Sequence, residues 1–374
     1  MSTQQPPPRI FVGAGEPSGD LHAAAVVAAL GDRFPGATIE AFGGPRMAAA
    51  GAQVRFPMEG YTVLGFVEVI RKIPAHWRLL QALRREFQAG RHDLVILVDY
   101  PGFHLRVAEA ARRAGVPVLY YVAPQLWAWR PGRARRFARA VDRLAVILPF
   151  EPAFFAKAGI PTTFVGHPLV DRPWPTRAEA RSELGIGPQE RVLGLFPGSR
   201  HQEVAALWPA YRDAGLRLLR AGQCDRVVVA AAAAGEYPGP GPIELVTGNP
   251  LPVFAAADAA LAKSGTTTLE AAIADVPMVV GYRVHRLTGW LARRLITVPW
   301  ISLVNLVANR AVVPELVQGA VTAERLSDLA GKLLEPGSVE AREQRAGLAE
   351  VRDRLGGGGA AARVAELAAG LLDR

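Results

Sequence analysis

Short apolar runs alternate with amphipathic stretches along almost the whole chain. Residues 9–13, 38–42, 93–98, 116–121 and 144–148 read as strands, and 22–30 and 105–114 as helices among them. The run 93–98 is nearly continuous in apolar residues, the mark of a strand buried on both faces. A proline-rich break at 172–175 interrupts this rhythm, which then restarts. A helix over 177–184 leads to a strand over 191–196, a long helix, and strands at 226–230, 259–262 and 277–281. Alternation of this kind builds a parallel sheet with helices on both faces. The predicted class is α/β, with one Rossmann-like domain over 1–171 and a second over 172–340. The last segment, 341–374, reads as helices that pack on the N-terminal domain or on a partner subunit in a homodimer. A glycine run at 356–359 supplies its hinge.

Two Rossmann-like domains facing across a cleft form the glycosyltransferase B (GT-B) layout, in which ligands sit at the carboxyl ends of strands. Composition narrows the setting. The chain has 374 residues, enough for two cores. No apolar run reaches the roughly 18 residues needed to span a bilayer. The first eight residues have neither a basic start nor an apolar core, so no signal peptide is expected. The single cysteine, Cys224, excludes an internal disulfide and a cysteine-based metal cluster. These features together point to the cytoplasm. The net charge of +9, mostly arginine, favours anionic partners. Nucleic acid is not expected, because helix-turn-helix, zinc-finger and RNA-binding aromatic signatures are all missing.

Candidate chemistry lies at predicted strand ends. The turn Gly13-Ala14-Gly15-Glu16-Pro17-Ser18-Gly19-Asp20 begins like a dinucleotide fingerprint, but an acid at position 16 would repel a pyrophosphate. No nicotinamide or flavin cofactor is expected. Glu16, Ser18 and Asp20 suit the hydroxyls of a sugar, while Ser18 or Asp20 could equally cap the helix. Asp99 follows the buried strand, where a carboxylate could take the proton of an attacking hydroxyl. Lying well ahead of its predicted helix, it is poorly placed to cap it. The run Tyr120-Tyr-Val-Ala-Pro-Gln-Leu-Trp-Ala-Trp129 fits two readings. Gln125, Trp127 and Trp129 could stack on a sugar and bond its hydroxyls, or the rings could form a buried plug under a loop. In the second half, Gly198, Ser199 and Arg200 open one helix, and Lys263, Ser264, Gly265 and Thr266 open another. Both turns suit a diphosphate, with Glu270 placed for a ribose diol. His167, near the domain joint, is more readily structural than a ligand, with a bond to a phosphate as the alternative.

The ordered set Gly15–Asp20, Gly43-Gly-Pro-Arg-Met47, Asp99–Phe103, Tyr120–Trp129, Leu148-Pro-Phe-Glu151, Val165–Leu169, Pro197–Glu203 and Lys263–Glu270 closely resembles the lipid-A-disaccharide synthase family, glycosyltransferase family 19. The likeness runs from about residue 10 to about 318. It implies an inverting enzyme of Gram-negative bacteria with the GT-B fold. Such an enzyme joins UDP-2,3-diacylglucosamine to 2,3-diacylglucosamine 1-phosphate (lipid X) and needs no cofactor or metal. It implies Asp99 as the base, and Arg200, Glu203, Lys263–Thr266, Glu270 and Asn305 around the nucleotide. Two positions depart from the family pattern: His104 stands where Asn is usual, and Val304 where Pro is usual.

Acylated substrates require reach to a lipid surface. In 64–85, Phe66, Val67, Val69 and Ile70 lie beside Arg71 and Lys72, the composition of an interfacial anchor on an anionic inner-membrane surface. Trp77, Leu80, Leu83 and Phe87 fall at helical spacing and are expected to be buried. The alternatives are another UDP-N-acetylglucosamine enzyme on the same fold, an epimerase or a peptidoglycan glycosyltransferase, or a non-catalytic sugar-nucleotide or lipid binder with no use for Asp99.

Overall fold

A computed structural model describes residues 6–61, 66–129, 131–284 and 298–373. The chain divides into two compact units, one of Met1–Asp171 with Gly357–Arg374, the other of Arg172–Gly356. The first is built on β1 (Arg9–Ala14), β2 (Thr38–Gly43), β3 (Gln53–Pro57), β4 (Leu94–Val98), β5 (Val118–Tyr121), β6 (Arg143–Val146) and β7 (Thr162–Phe164). They form one parallel sheet in the order β3-β2-β1-β4-β5-β6-β7. The second unit has β8 (Val192–Phe196), β9 (Arg226–Ala231), β10 (Glu244–Thr247), β11 (Ala259–Lys263), β12 (Met278–Tyr282) and β13 (Glu315–Val317). Its order, β10-β9-β8-β11-β12-β13, is again parallel and reverses direction between β8 and β11. Both units are Rossmann-like.

Every residue of β4 and of β8 is buried. In the first sheet successive side chains go to opposite faces. Phe11, Val95, Leu97 and Tyr120 join one core. Ile10, Val12, Ile96, Val98 and Tyr121 join the other, on the face that the helix Ala360–Leu372 covers with Val364, Ala365, Ala368 and Leu371. The sequence pattern misses β3, β7, β10 and β13. These are short sheet-edge strands or strands near an edge, and three of them alternate or remain half-exposed, so their apolar signal is weak.

Two helices start earlier than the pattern predicts, at Pro17 and at Pro101. In each case a proline stands at the first helical position, where its fixed φ fits and its missing N–H costs nothing. Asp99 therefore lies immediately before the N-cap residue Tyr100, closer to its helix than expected.

The returning segment begins later than the expected 341. The helix Val339–Arg354 stays with the second unit, where Gln344 accepts a hydrogen bond from the Met278 amide at 2.9 Å and Arg352 bonds the Ala272 carbonyl at 2.8 Å. The helix from Ala360 belongs to the first unit. The Asp171 carboxylate accepts the amides of Gly359 and Ala360 at 2.6 and 3.1 Å, and Arg363 donates to the Val165 carbonyl at 2.8 Å. The apolar face of that helix is thus covered within its own chain.

Candidate functional site

In the first unit the strand order reverses between β1 and β4, and the two strands end in register, with Ala14 opposite Val98. The chain leaves β1 as Gly15-Glu16 and β4 as Asp99-Tyr100. A Cβ on Gly15 would fall 2.3 Å from the Tyr100 ring, so only glycine lets the two exits lie this close. Asp99 and Tyr100 are both left-handed, with φ of 48° and 54°. Non-glycine residues in this region cost about 1–3 kcal/mol each and persist only where their surroundings enforce them. Burial pushes the Asp99 carboxyl up to about 6, the negative charge of Glu16 adds to this, and the Tyr100 amide opposes it. The result is a half-buried carboxylate with raised proton affinity at a topological switch point, the combination expected of a general base.

Glu16 is half-buried at this exit, and Ser18 and Gln125 are exposed. Asp20 departs from the sequence expectation. It is fully buried, and its carboxylate accepts the amides of Gly44, Arg46 and Met47 at 2.8–3.3 Å. It therefore caps the helix Pro45–Ala49 instead of its own, and three of its acceptor positions are already taken by backbone amides. Trp127 is the plug rather than the platform. Its ring is buried edge-on to Phe150 at 5.0 Å, and its Nε1 donates to Glu151 at 3.1 Å. Glu151 is itself buried, which raises its carboxyl to about 7. The side chain of Trp129 lies outside the described residues. His167 is buried, with Nδ1 accepting the Leu169 amide at 3.2 Å.

In the second unit the exits of β8 and β11 flank the reversal. Phe196, Gly198, Ser199, Phe254, Thr267 and Glu270 help line a cavity of about 240 Å³ there. Of these, Phe196 and Phe254 stack in parallel, centroids 3.7 Å apart. Gly198 and Gly265 hold φ of +126° and +130°, turning each strand into the N-terminus of a helix, His201–Arg220 and Thr266–Ile273. Both helix starts present free amides and a positive dipole end. Arg200 is exposed, as are Ser199 and Thr266.

Two acids of this site carry their own cations. Glu203 pairs with Lys263 at 2.9 Å and Arg200 at 3.3 Å, and accepts the Ser199 amide at 3.2 Å. Burial alone would raise its pKa, but these partners outweigh it and hold the carboxyl below its ordinary value. Glu203 thus orients Lys263 and the turn rather than facing a phosphate directly. Glu270 pairs with Arg172 at 3.0 Å; burial still keeps its pKa raised. The sequence reading did not single out Arg172. The Ser264 hydroxyl donates to the Ile301 carbonyl at 2.6 Å.

Asn305 also departs from its expected role. Its Nδ2 donates to the Val313 carbonyl and Glu315, both at 2.9 Å, and its Oδ1 accepts the amides of Val312 and Val313. All four of its hydrogen-bonding positions serve the loop, so it acts on the site only through that loop.

Glu40, Glu86 and His92 lie within reach of a common ion, but Arg55 bridges both carboxylates and Arg91 bonds Glu40, so guanidinium groups already balance the charge. A second hollow, of about 360 Å³ beside Arg217, Arg220 and Gln223, lies at the amino-terminal edge of its sheet, away from the strand exits.

The family model described as lipid-A-disaccharide synthetase matches residues 10–357. The chain belongs to the lipid-A-disaccharide synthase family. Among its relatives, the lipid-A-disaccharide synthase of Myxococcus xanthus is 43% identical over 371 residues, 96% of each chain. That of Geobacter metallireducens is 40% identical over 99% of this chain and 98% of the relative. Among solved structures, a putative UDP-N-acetylglucosamine 2-epimerase from Listeria monocytogenes superposes with a TM-score of 0.65 at 12% identity, over 95% of this chain and 94% of the other. The calicheamicin glycosyltransferase CalG4 gives 0.61 at 17%, over 99% of each. MurG of Acinetobacter baumannii gives 0.58 at 16%, over 96% and 98%. At these identities the likeness establishes the fold, which is GT-B.

The half-buried carboxylate of Asp99 has a consequence for stability. Unfolded aspartate loses its proton near pH 4, whereas folded Asp99 loses it at about 6. The folded state binds the extra proton between these values, so the stability Asp99 contributes falls as pH rises from about 4 to about 6. Asp99→Asn removes this penalty and is expected to stabilise the protein at pH 8 by on the order of 2 kcal/mol, with little change near pH 4. Differential scanning calorimetry at both pH values checks this; equal shifts at the two would contradict it.

Proposed function

We propose that this chain is an inverting glycosyltransferase that joins UDP-2,3-diacylglucosamine to lipid X through a β-1,6 bond and releases UDP. The reading is carried by Asp99, a half-buried carboxylate of raised proton affinity at the switch point of the first sheet. In this mechanism the 6-hydroxyl of the acceptor attacks the anomeric carbon of the donor. The new C–O bond forms as the bond to the diphosphate breaks, and Asp99 takes the hydroxyl proton. Attack from the face opposite the leaving group inverts the anomeric centre. Glu16, Ser18 and Gln125 are assigned to the acceptor side. The UDP is assigned to the second unit, with its phosphates on the turns Gly198–Arg200 and Ser264–Thr266, its ribose toward Glu270, and Lys263 supplying positive charge.

Acyl chains on both substrates call for contact with a membrane, and we place the enzyme peripherally on the cytoplasmic face of the inner membrane. No described helix is long and apolar enough to cross a membrane. The side chains of Phe66, Val67, Val69, Ile70 and Arg71 lie outside the described residues; Lys72 is half-buried on the same helix, Phe66–Gln88. Support comes from its continuation. Ile73 and Trp77, one turn apart, are 53% and 60% exposed. Trp77 was expected in the core, but it lies off the stripe that Leu79, Leu80, Leu83 and Phe87 bury at about 100° per residue. An exposed tryptophan beside Arg78 suits a lipid–water boundary.

Three outcomes are expected. Asp99→Ala, folding normally, loses about 100- to 10,000-fold in UDP release with acylated substrates, and wild-type turnover rises with pH through about 6. Near-normal turnover in that variant would remove Asp99 as the base. Arg200→Ala and Glu270→Ala each weaken UDP binding in calorimetry by about 1.5–3 kcal/mol, and unchanged affinity in both would move the donor elsewhere. Replacing Phe66, Val67 and Ile70 by serine reduces sedimentation with anionic vesicles. Retention of both binding and activity would make the segment an ordinary part of the fold.

A further inference from the structure

The left-handed pair Asp99–Tyr100 is held from beneath by two side chains that converge on a single atom. The Asp99 carbonyl oxygen accepts a hydrogen bond from His104 Nδ1 at 2.7 Å and another from the Tyr120 hydroxyl at 2.5 Å. Both residues have 0% relative exposure. A carbonyl can only accept, so His104 carries its proton on Nδ1. Burial lowers the His104 pKa to about 4, so the ring is neutral at physiological pH. Its other nitrogen, Nε2, has no hydrogen-bond partner among the described residues and packs against Gly13, where an added Cβ would lie 3.1 Å away. A leucine could fill this space without leaving a buried lone pair unmatched. What histidine adds is the bond to Asp99.

The Tyr120 ring, fixed edge-on to Phe137 at 4.7 Å, brings the second donor from the adjacent strand. Above the turn, Tyr100 lies over Gly15 and its hydroxyl meets His76 Nε2 at 2.8 Å. The residue that departs from the family pattern at position 104 thus lies under the proposed base and is shut off from any acceptor.

We propose that His104 and Tyr120 are positioning residues that clamp the Asp99 carbonyl, hold the left-handed turn, and so aim the Asp99 carboxylate at the attacking hydroxyl. This rests on Asp99 being the base. The titratable groups facing it are Glu16 just beyond β1, Tyr100 at the N-cap of the helix Pro101–Arg113, His104 within that helix, and Tyr120 from β5. Asparagine at position 104 would offer its Nδ2 at the same distance from the backbone as histidine Nδ1, so His104→Asn keeps the donor and His104→Leu removes it.

The test is steady-state UDP release by the full-length chain with acylated donor and acceptor, run across pH. Tyr120→Phe, which removes one oxygen and keeps the ring, and His104→Leu are each expected to lower kcat at least tenfold. KM for both substrates should stay within twofold, and His104→Asn should stay within threefold of the wild type in kcat. The acidic limb of kcat/KM should move to lower pH as the released carboxylate turns toward water, a shift that a general loss of packing would not produce. Unchanged kcat and an unchanged limb in Tyr120→Phe would overturn the proposal, as would a rise in KM with kcat retained. Should His104→Leu fail to fold, Tyr120→Phe and His104→Asn decide the question. Asp99→Asn separates the two levels. If it stays active, the base assignment fails; if it is inactive while Tyr120→Phe and His104→Leu behave as wild type, only the clamp fails.

Discussion

A strand buried on both faces can carry charge only at its ends. In β4 and β8 every side chain is buried, so neither can hold an ionised group along its length without a large desolvation cost. The polar chemistry is therefore displaced to the residues that follow: Asp99 after β4, and Gly198, Ser199 and Arg200 after β8. Parallel pairing brings neighbouring exits to the same edge of the sheet. The reversal of strand order between β1 and β4, and between β8 and β11, keeps the connections on either side from covering that edge.

The two units treat their acids in opposite ways. In the second, Glu203 and Glu270 each have a cation within 3.0 Å, from Lys263 and Arg172. The diphosphate proposed for this unit would need positive charge in place, and acids that orient cations suit that proposal. In the first unit, no cation among the described residues acts on Asp99; its neighbour is the acid Glu16. The same burial that would make an unpaired carboxylate a liability gives it the proton affinity a base requires. The left-handed backbone at Asp99 and Tyr100 adds a local cost, and the buried side chains beneath the turn hold it in place.

Several polar residues at the strand exits belong to the fold instead of the chemistry. Asp20 caps a helix that begins 25 residues further along the chain, at Pro45. Asn305 staples its own loop through all four of its hydrogen-bonding positions. Trp127 is buried with its indole nitrogen on Glu151. Each is a motif residue whose value lies in keeping an exit in shape. From a motif alone, such a residue cannot be told from one that touches substrate, because both are fixed by the same turn.

The sequence by itself determined the α/β class, the two Rossmann-like halves, the break near 172, and Asp99, Gly198 and Lys263 at strand ends. These follow from local pattern: apolar runs of strand length, glycines at tight turns, and polar residues just beyond them. It also carried the family resemblance, which rests on the order of the motifs. What only the tertiary structure decided depends on partners distant in the chain. The short strands near the sheet edges lack a strong apolar signal, and pairing with a neighbour defines them. The helix Ala360–Leu372 belongs to the first unit because Asp171 caps it and the face of the first sheet buries it, although the helix before it stays with the second. The raised pKa of Asp99 arises from burial and from Glu16, 83 positions away in the sequence. Burial, charge proximity and hydrogen-bond satisfaction are set in three dimensions, and one-dimensional spacing carries no measure of them.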